Sequence, residues 1–69
     1  MADAELFEQE RGRLLGVAYR LVGTPDDAED VVQEAWLRYA ASGASIDNPP
    51  AWLTTVVTRL ALDLSLIHI

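Results

Sequence analysis

The stretch Asp27 to Trp36, DAEDVVQEAW, decides the fold. Ala28, Val31, Val32, Ala35, Trp36 and, beyond it, Tyr39 recur at i, i+3, i+4, i+7, i+8 and i+11. That period marks the buried face of an α-helix. Asp26, Asp30, Gln33, Glu34 and Leu37 fall on the other side. A solvated face usually mixes Lys with Glu. This one is acidic, carries an amide and ends in an outward leucine, the character of a docking surface for a basic partner.

Two further helical patterns flank it. Upstream, Phe7, Leu14, Leu15, Ala18, Leu21 and Val22 share one face. Asp3 is the expected N-cap, with Glu5 and Glu8 suited to the positive end of the dipole. Gly23 followed by Pro25 reads as a C-terminal stop. Gly12 and Gly16 lie inside the pattern, at about 1 kcal/mol each relative to alanine, and their spacing suits close approach of another helix. The second helix is expected to open near Thr24 or Asp26, with Thr24 and Asp27 as an N-cap pair and Pro25 at the first helical position. It runs to about Ala41. Ser42 to Pro50 reads as a loop, interrupted by Gly43, Asp47, Asn48 and two prolines. Pro49 or Pro50 then opens a third helix with Trp52, Leu53, Val56, Val57, Leu60 and Leu64 on its apolar face. Thr54, Thr55, Thr58 and Arg59 share much of the other face. The β-branched run Thr54 to Thr58 has the weakest helix propensity, so a strand there is the minor alternative.

Composition bounds the function. The chain has 69 residues, at most one domain, and 51% of them are hydrophobic, too many for a disordered tail. It has no cysteine, hence no disulfide or thiolate chemistry. No basic segment precedes an apolar run at the N-terminus, and no apolar stretch is long enough to span a bilayer. The expected location is the cytoplasm, away from membranes. The net charge is −6, and all five basic residues are arginines: Arg11, Arg13, Arg20, Arg38 and Arg59. They are scattered, whereas phosphate binding needs clustered Lys or Arg. If DNA is touched, another molecule must supply most of the attraction.

Catalysis finds little support. Asp26, Asp27, Glu29 and Asp30 lack the glycine and the alternating oxygen ligands of a calcium loop, and no histidine lies nearby for zinc or iron. A solvated, dipole-favoured helix start is the better reading. His68 stands alone, with no partner for acid–base work. No nucleophile–base pair and no phosphate loop occur. We expect no enzyme, no metal and no cofactor.

Three segments together carry a family resemblance: LLGVAYRLVG at Leu14 to Gly23, DAEDVVQEAWLR at Asp27 to Arg38, and NPPAWLTTVVTRLALD at Asn48 to Asp63. In this order and spacing the chain resembles region 2 of bacterial RNA polymerase sigma factors of the extracytoplasmic-function (ECF) group. The resemblance covers nearly all of residues 5 to 63. The form TTVVTRLALD looks most like the branch with an extra C-terminal domain.

The resemblance implies two sites. In the family, the helix matching Asp27 to Arg38 docks on the coiled coil of the polymerase β′ clamp. Asp30, Gln33 and Glu34 match its docking positions, and Leu37 extends the same face. Carboxylates and an amide suit arginines on the coiled coil. The alternative is an ordinary acidic solvent face. The loop and the start of the third helix match the part that melts and reads the minus-ten element, holding a base flipped from the non-template strand. Ser45, Asp47 and Asn48 have suitable polar groups there. Trp52 matches a family aromatic that could brace the strand, or is a plain core tryptophan. Thr55, Thr58 and Arg59 are candidates for backbone contact. An anti-sigma factor is a further candidate partner.

Two departures stand out. Many family members read Ala-Arg-Asn where this chain has Val57-Thr58-Arg59. The family also continues past Asp63 to a linker and region 4, whereas this chain turns to LSLIHI. Those six residues hold the only histidine and two of three isoleucines, against a lysine-free style that suggests GC-rich coding. One reverse translation of LSLIHI matches the end of a transposon used to prepare sequencing libraries. Leu64 to Ile69 therefore read as an anomalous tail, a sequencing or cloning artefact; the alternative is a native helix end.

The expected fold is all-α, a small three-helix antiparallel bundle over residues 1–63. The expected function is that of a transcription initiation factor fragment. The rival reading is a helical adaptor or regulator that binds only protein.

Overall fold

The computed structural model describes residues 2–42 and 46–67. Three helices occur in order: α1 (Ala2–Val22), α2 (Pro25–Ala41) and α3 (Pro49–Ile67). No strand occurs among the described residues, so the Thr54 to Thr58 run is helical. The reason is packing: Leu53, Val57 and Ala61 recur at i, i+4 and i+8 and are fully buried, and the threonine hydroxyls find partners inside the helix. Thr54 Oγ1 donates to the Pro50 carbonyl at 2.8 Å, Thr55 Oγ1 to Ala51 at 3.1 Å and Thr58 Oγ1 to Thr54 at 2.7 Å. Each threonine satisfies its hydroxyl one turn back, a pattern open to Ser and Thr within helices.

The helix ends follow local chemistry. Gly23 takes φ +84, left-handed backbone that favours glycine, and its N–H donates to the Tyr19 carbonyl at 2.9 Å. Only Gly23 and Thr24 separate α1 from α2. Thr24 is the N-cap, its Oγ1 accepting from Asp27 N–H at 3.2 Å. Such a cap contributes about 1 kcal/mol. Pro25 follows at the first position, and Asp26 and Asp27 occupy the positive end of the helix dipole. At the far end, Ser42 N–H donates to the Arg38 and Tyr39 carbonyls.

Two expectations are corrected. The helix begins at Ala2, so Asp3 lies within its first turn and is not the N-cap. Gly12 and Gly16 receive no close neighbour within the chain: a Cβ on either would meet open space.

The core is one apolar cluster of Leu14, Ala18, Ala28, Val31, Val32, Ala35, Leu53, Val57 and Ala61. No polar or charged residue is buried among the described residues. Each helix contributes one fully buried alanine, Ala18, Ala35 and Ala61. Small side chains at helix contacts shorten interaxial distances. Phe7, near the start of α1, meets Trp36 of α2 at a ring separation of 4.8 Å, and Arg11 meets Glu29 at 3.4 Å. These pairings run in opposite senses along the two helices, so α1 and α2 are antiparallel. An aromatic row, Phe7–Trp36–Tyr39–Trp52, continues with separations of 5.1 and 5.9 Å and joins all three helices. Pairs of this kind add about 0.5–1.5 kcal/mol each beyond area burial.

No helix among the described residues is long and apolar enough to cross a membrane. α3 passes Asp63 without a break, and Leu64 is partly buried against the core.

Candidate functional site

The polar stripe of α2 stands where the periodicity places it. Ala28, Val31, Val32 and Ala35 are buried, which turns Asp30, Gln33, Glu34 and Leu37 outward. Leu37 is 54% exposed, a large apolar side chain on the same face as the carboxylates of Asp30 and Glu34. Gln33 also lines a small cleft between α1 and α2 with Phe7, Arg11 and Val32. Glu34 pairs with Arg38 one turn away at 3.0 Å. Both side chains are about half exposed, and such pairs contribute only about 0–1 kcal/mol. Glu34 can therefore exchange Arg38 for an arginine of a partner at little loss. Asp30 makes no ion pair among the described residues.

The second set gathers at the start of α3. Asp47 and Asn48 are exposed just ahead of it. Ser45 lies outside the described residues. Asn48, Trp52, Thr55 and Arg59 follow at i, i+4, i+7 and i+11, one stripe of a helix. Asn48 has a structural duty that the sequence pattern did not disclose. Its Oδ1 accepts from Ala51 N–H at 3.2 Å, so it caps α3, leaving its side-chain NH2 for a ligand. A signal for it exists: asparagine directly before proline at the head of an apolar-periodic run. Trp52 is half-buried, packed against the core and beside Tyr39, so it combines a core role with an accessible part. Thr55 is exposed and Thr58 half-buried. Both hydroxyl protons already serve carbonyls of α3, so these oxygens are free to accept rather than donate. Arg59 is exposed and makes no ion pair among the described residues. Val57, in the triplet where the family pattern departs, is fully buried and faces away from any ligand.

Three of the five arginines are engaged inside the chain: Arg11 with Glu29, Arg13 with Glu10, and Arg38 with Glu34. Arg13 does more. Its Nε donates to Glu10 Oε1 at 2.8 Å, its Nη1 to Thr54 Oγ1 at 2.8 Å and its Nη2 to the Pro50 carbonyl at 3.3 Å. Nothing in the local sequence signals this bridge, because its ends are 41 residues apart. Among the described residues, no group of three or more His, Cys, Asp or Glu side chains is arranged to hold a metal ion.

Comparison with known proteins identifies the family. Residues 6–65 match the family model described as Sigma-70 region 2. The chain is 61% identical over 57 residues to the ECF RNA polymerase sigma factor SigJ of Mycobacterium tuberculosis, covering 83% of this chain and 18% of that protein. It is 44% identical over 54 residues to the probable ECF RNA polymerase sigma factor SigI of the same species, covering 77% of this chain and 19% of the relative. A third relative, ECF RNA polymerase sigma factor SigK of a Mycobacterium species, is 33% identical over 66 residues, covering 90% of this chain and 34% of that protein. The chain thus spans about a fifth of the length of the first two. No solved structure gives a significant match.

Proposed function

The chain belongs to the Sigma-70 region 2 family, and from that premise we propose that it serves transcription initiation by docking on core RNA polymerase through α2 and helping to open and read the minus-ten element through the start of α3. The observation that carries this reading is the exposed Asp30, Gln33, Glu34 and Leu37 stripe, set back to back with the buried face of the same helix. The proposed partner is the coiled coil of the polymerase β′ clamp. The second contact is the melted non-template strand, met by Asp47, Asn48, Trp52, Thr55, Thr58 and Arg59 and by the neighbouring Ser45. An anti-sigma factor would compete for such a surface. The setting is the cytoplasm, and the role is binding, with no catalytic step.

Charge divides the work between polymerase and chain. At net charge −6, with three arginines already paired internally, the chain has little to offer duplex phosphates. In an anisotropy titration at physiological salt, we expect no saturable binding of duplex DNA at micromolar protein. Single-stranded DNA is different, because stacking on aromatics and loop contacts need few charges. Sequence-specific, submicromolar duplex binding by the chain alone would contradict the division. The protein-only reading predicts neither duplex nor single-strand binding, and the same titration separates it.

We take Leu64 to Ile69 as a tail foreign to the domain of residues 1–63, against a family match that runs on to residue 65. Leu64 still packs against the core, so it is kept in the test. Deleting Ser65 to Ile69 should change the melting temperature by no more than about 2 °C. A fall of about 5 °C or more, without a change in oligomeric state, would assign the tail to the native core.

A further inference from the structure

We propose that Arg13 is a positioning residue for strand reading: its guanidinium fork ties α1 to the first turn of α3 and fixes where Asn48 and Trp52 stand. The inference rests on the reading that the start of α3 meets the melted strand.

The first turn of α3 is held by its own cap and by contacts from both other helices. Pro49 and Pro50 have no N–H, so neither can donate a capping bond there. The turn keeps two bonds to Asn48: Ala51 N–H to its side chain at 3.2 Å and Trp52 N–H to its carbonyl at 3.0 Å. From α2, Tyr39 lies beside Trp52 at 5.9 Å between ring centroids. From α1, Arg13 supplies the polar anchor. Nη1 donates to Thr54 Oγ1 and Nη2 to the Pro50 carbonyl, while Thr54 Oγ1 itself donates to that carbonyl. The three groups close a small network around one turn. Glu10 steadies the guanidinium from within α1, and the Glu10 side chain is only 17% exposed, unlike the freer partners of Arg11 and Arg38.

Arginine suits this duty and lysine does not. A guanidinium presents its donors in a rigid planar fork, whereas an ammonium is a point charge on a flexible stem. The network spans three acceptors in different directions: a carboxylate, a hydroxyl and a carbonyl. A lysine at position 13 would keep the charge and lose the geometry. Because the network is partly exposed, its contribution to global stability is small. Its consequence is the placement of the Asn48 amide and the Trp52 ring, to which it adds a tie to α1 beside the two bonds of Asn48 and the packing of Trp52 against Tyr39 and the core.

The test uses the 69-residue chain and a single-stranded DNA pool of randomised sequence, with binding read by anisotropy and base preference by sequencing the bound fraction. The variants are Arg13→Lys and Thr54→Val, alone and together. We expect Arg13→Lys to lower affinity roughly fivefold, through diminished preorganisation, and to flatten base preference. Thr54→Val should reproduce part of both effects, and the double variant should fall short of their sum. Helicity and affinity for an isolated β′ clamp coiled coil should stay at wild-type values. Arg13→Lys with wild-type affinity and base preference would overturn the inference, since charge alone would then suffice. Equal losses for DNA and coiled coil would also overturn it, by showing a general structural effect. If the wild-type chain binds no single strand, the functional reading itself fails and the inference falls with it.

Discussion

Replacing Leu53 with alanine should lower the unfolding free energy by about 2–5 kcal/mol, the range for truncating a buried leucine. Leu53 is fully buried and belongs to the apolar core, which among the described residues has nine members, four of them alanines. Leucines, valines and aromatics pack around the cluster and can relax into part of a cavity, so a value near the middle of that range is expected. Domains hold about 0.05–0.15 kcal/mol of stability per residue, so a chain of 69 residues has little margin for such a loss. Urea denaturation followed by circular dichroism measures it. A loss below about 1 kcal/mol would mean that the three helices do not pack around Leu53 as described.

The second large effect concerns docking. Reversing the charge at both Asp30 and Glu34 should weaken binding to an isolated β′ clamp coiled coil more than tenfold. Removing charged interface partners typically costs about 2 kcal/mol or more, and reversal adds repulsion. Both residues are exposed and neither supports the core. Within the chain, the double reversal breaks the half-exposed Glu34–Arg38 ion pair, which holds no other element in place. Helicity should therefore survive, and circular dichroism of the same samples checks it. Unchanged affinity with intact helicity would remove α2 from the polymerase interface.

The sequence made much of the fold legible because its signals are local. Thr24, Pro25 and Gly23 announce the two-residue turn between α1 and α2, and they act as cap, first residue and stop. The buried face of α2 follows the period of its apolar residues through Ala35, with Trp36 and Tyr39 packed at its edge. Other features escaped for physical reasons. Ala61 is fully buried, yet an alanine adds little to a hydrophobic pattern whose strong members are Leu and Val. Thr54 and Thr58 read as polar-side residues, but both are half-buried, which back-bonding to the preceding turn permits by satisfying their hydroxyls.

The candidate sites were legible to different depths. The docking stripe is a property of one helix, and its exposure follows once the opposite face is buried. The proposed strand-reading set depends on how α3 begins, and that is decided by a local cap together with contacts between elements. Asn48 combines a polar group facing outward with a capping bond, and Arg13 reaches Thr54 across the bundle. Neither interaction has a periodicity to reveal it.

Backbone amide chemical shifts of the 69-residue chain, titrated with an isolated β′ clamp coiled coil, test the central claim most directly. The account predicts saturable changes concentrated at Asp30, Gln33, Glu34 and Leu37, with the start of α3 left free for the strand. Absence of binding, or changes confined to the α1 surface around Gly16 and Tyr19, would contradict it.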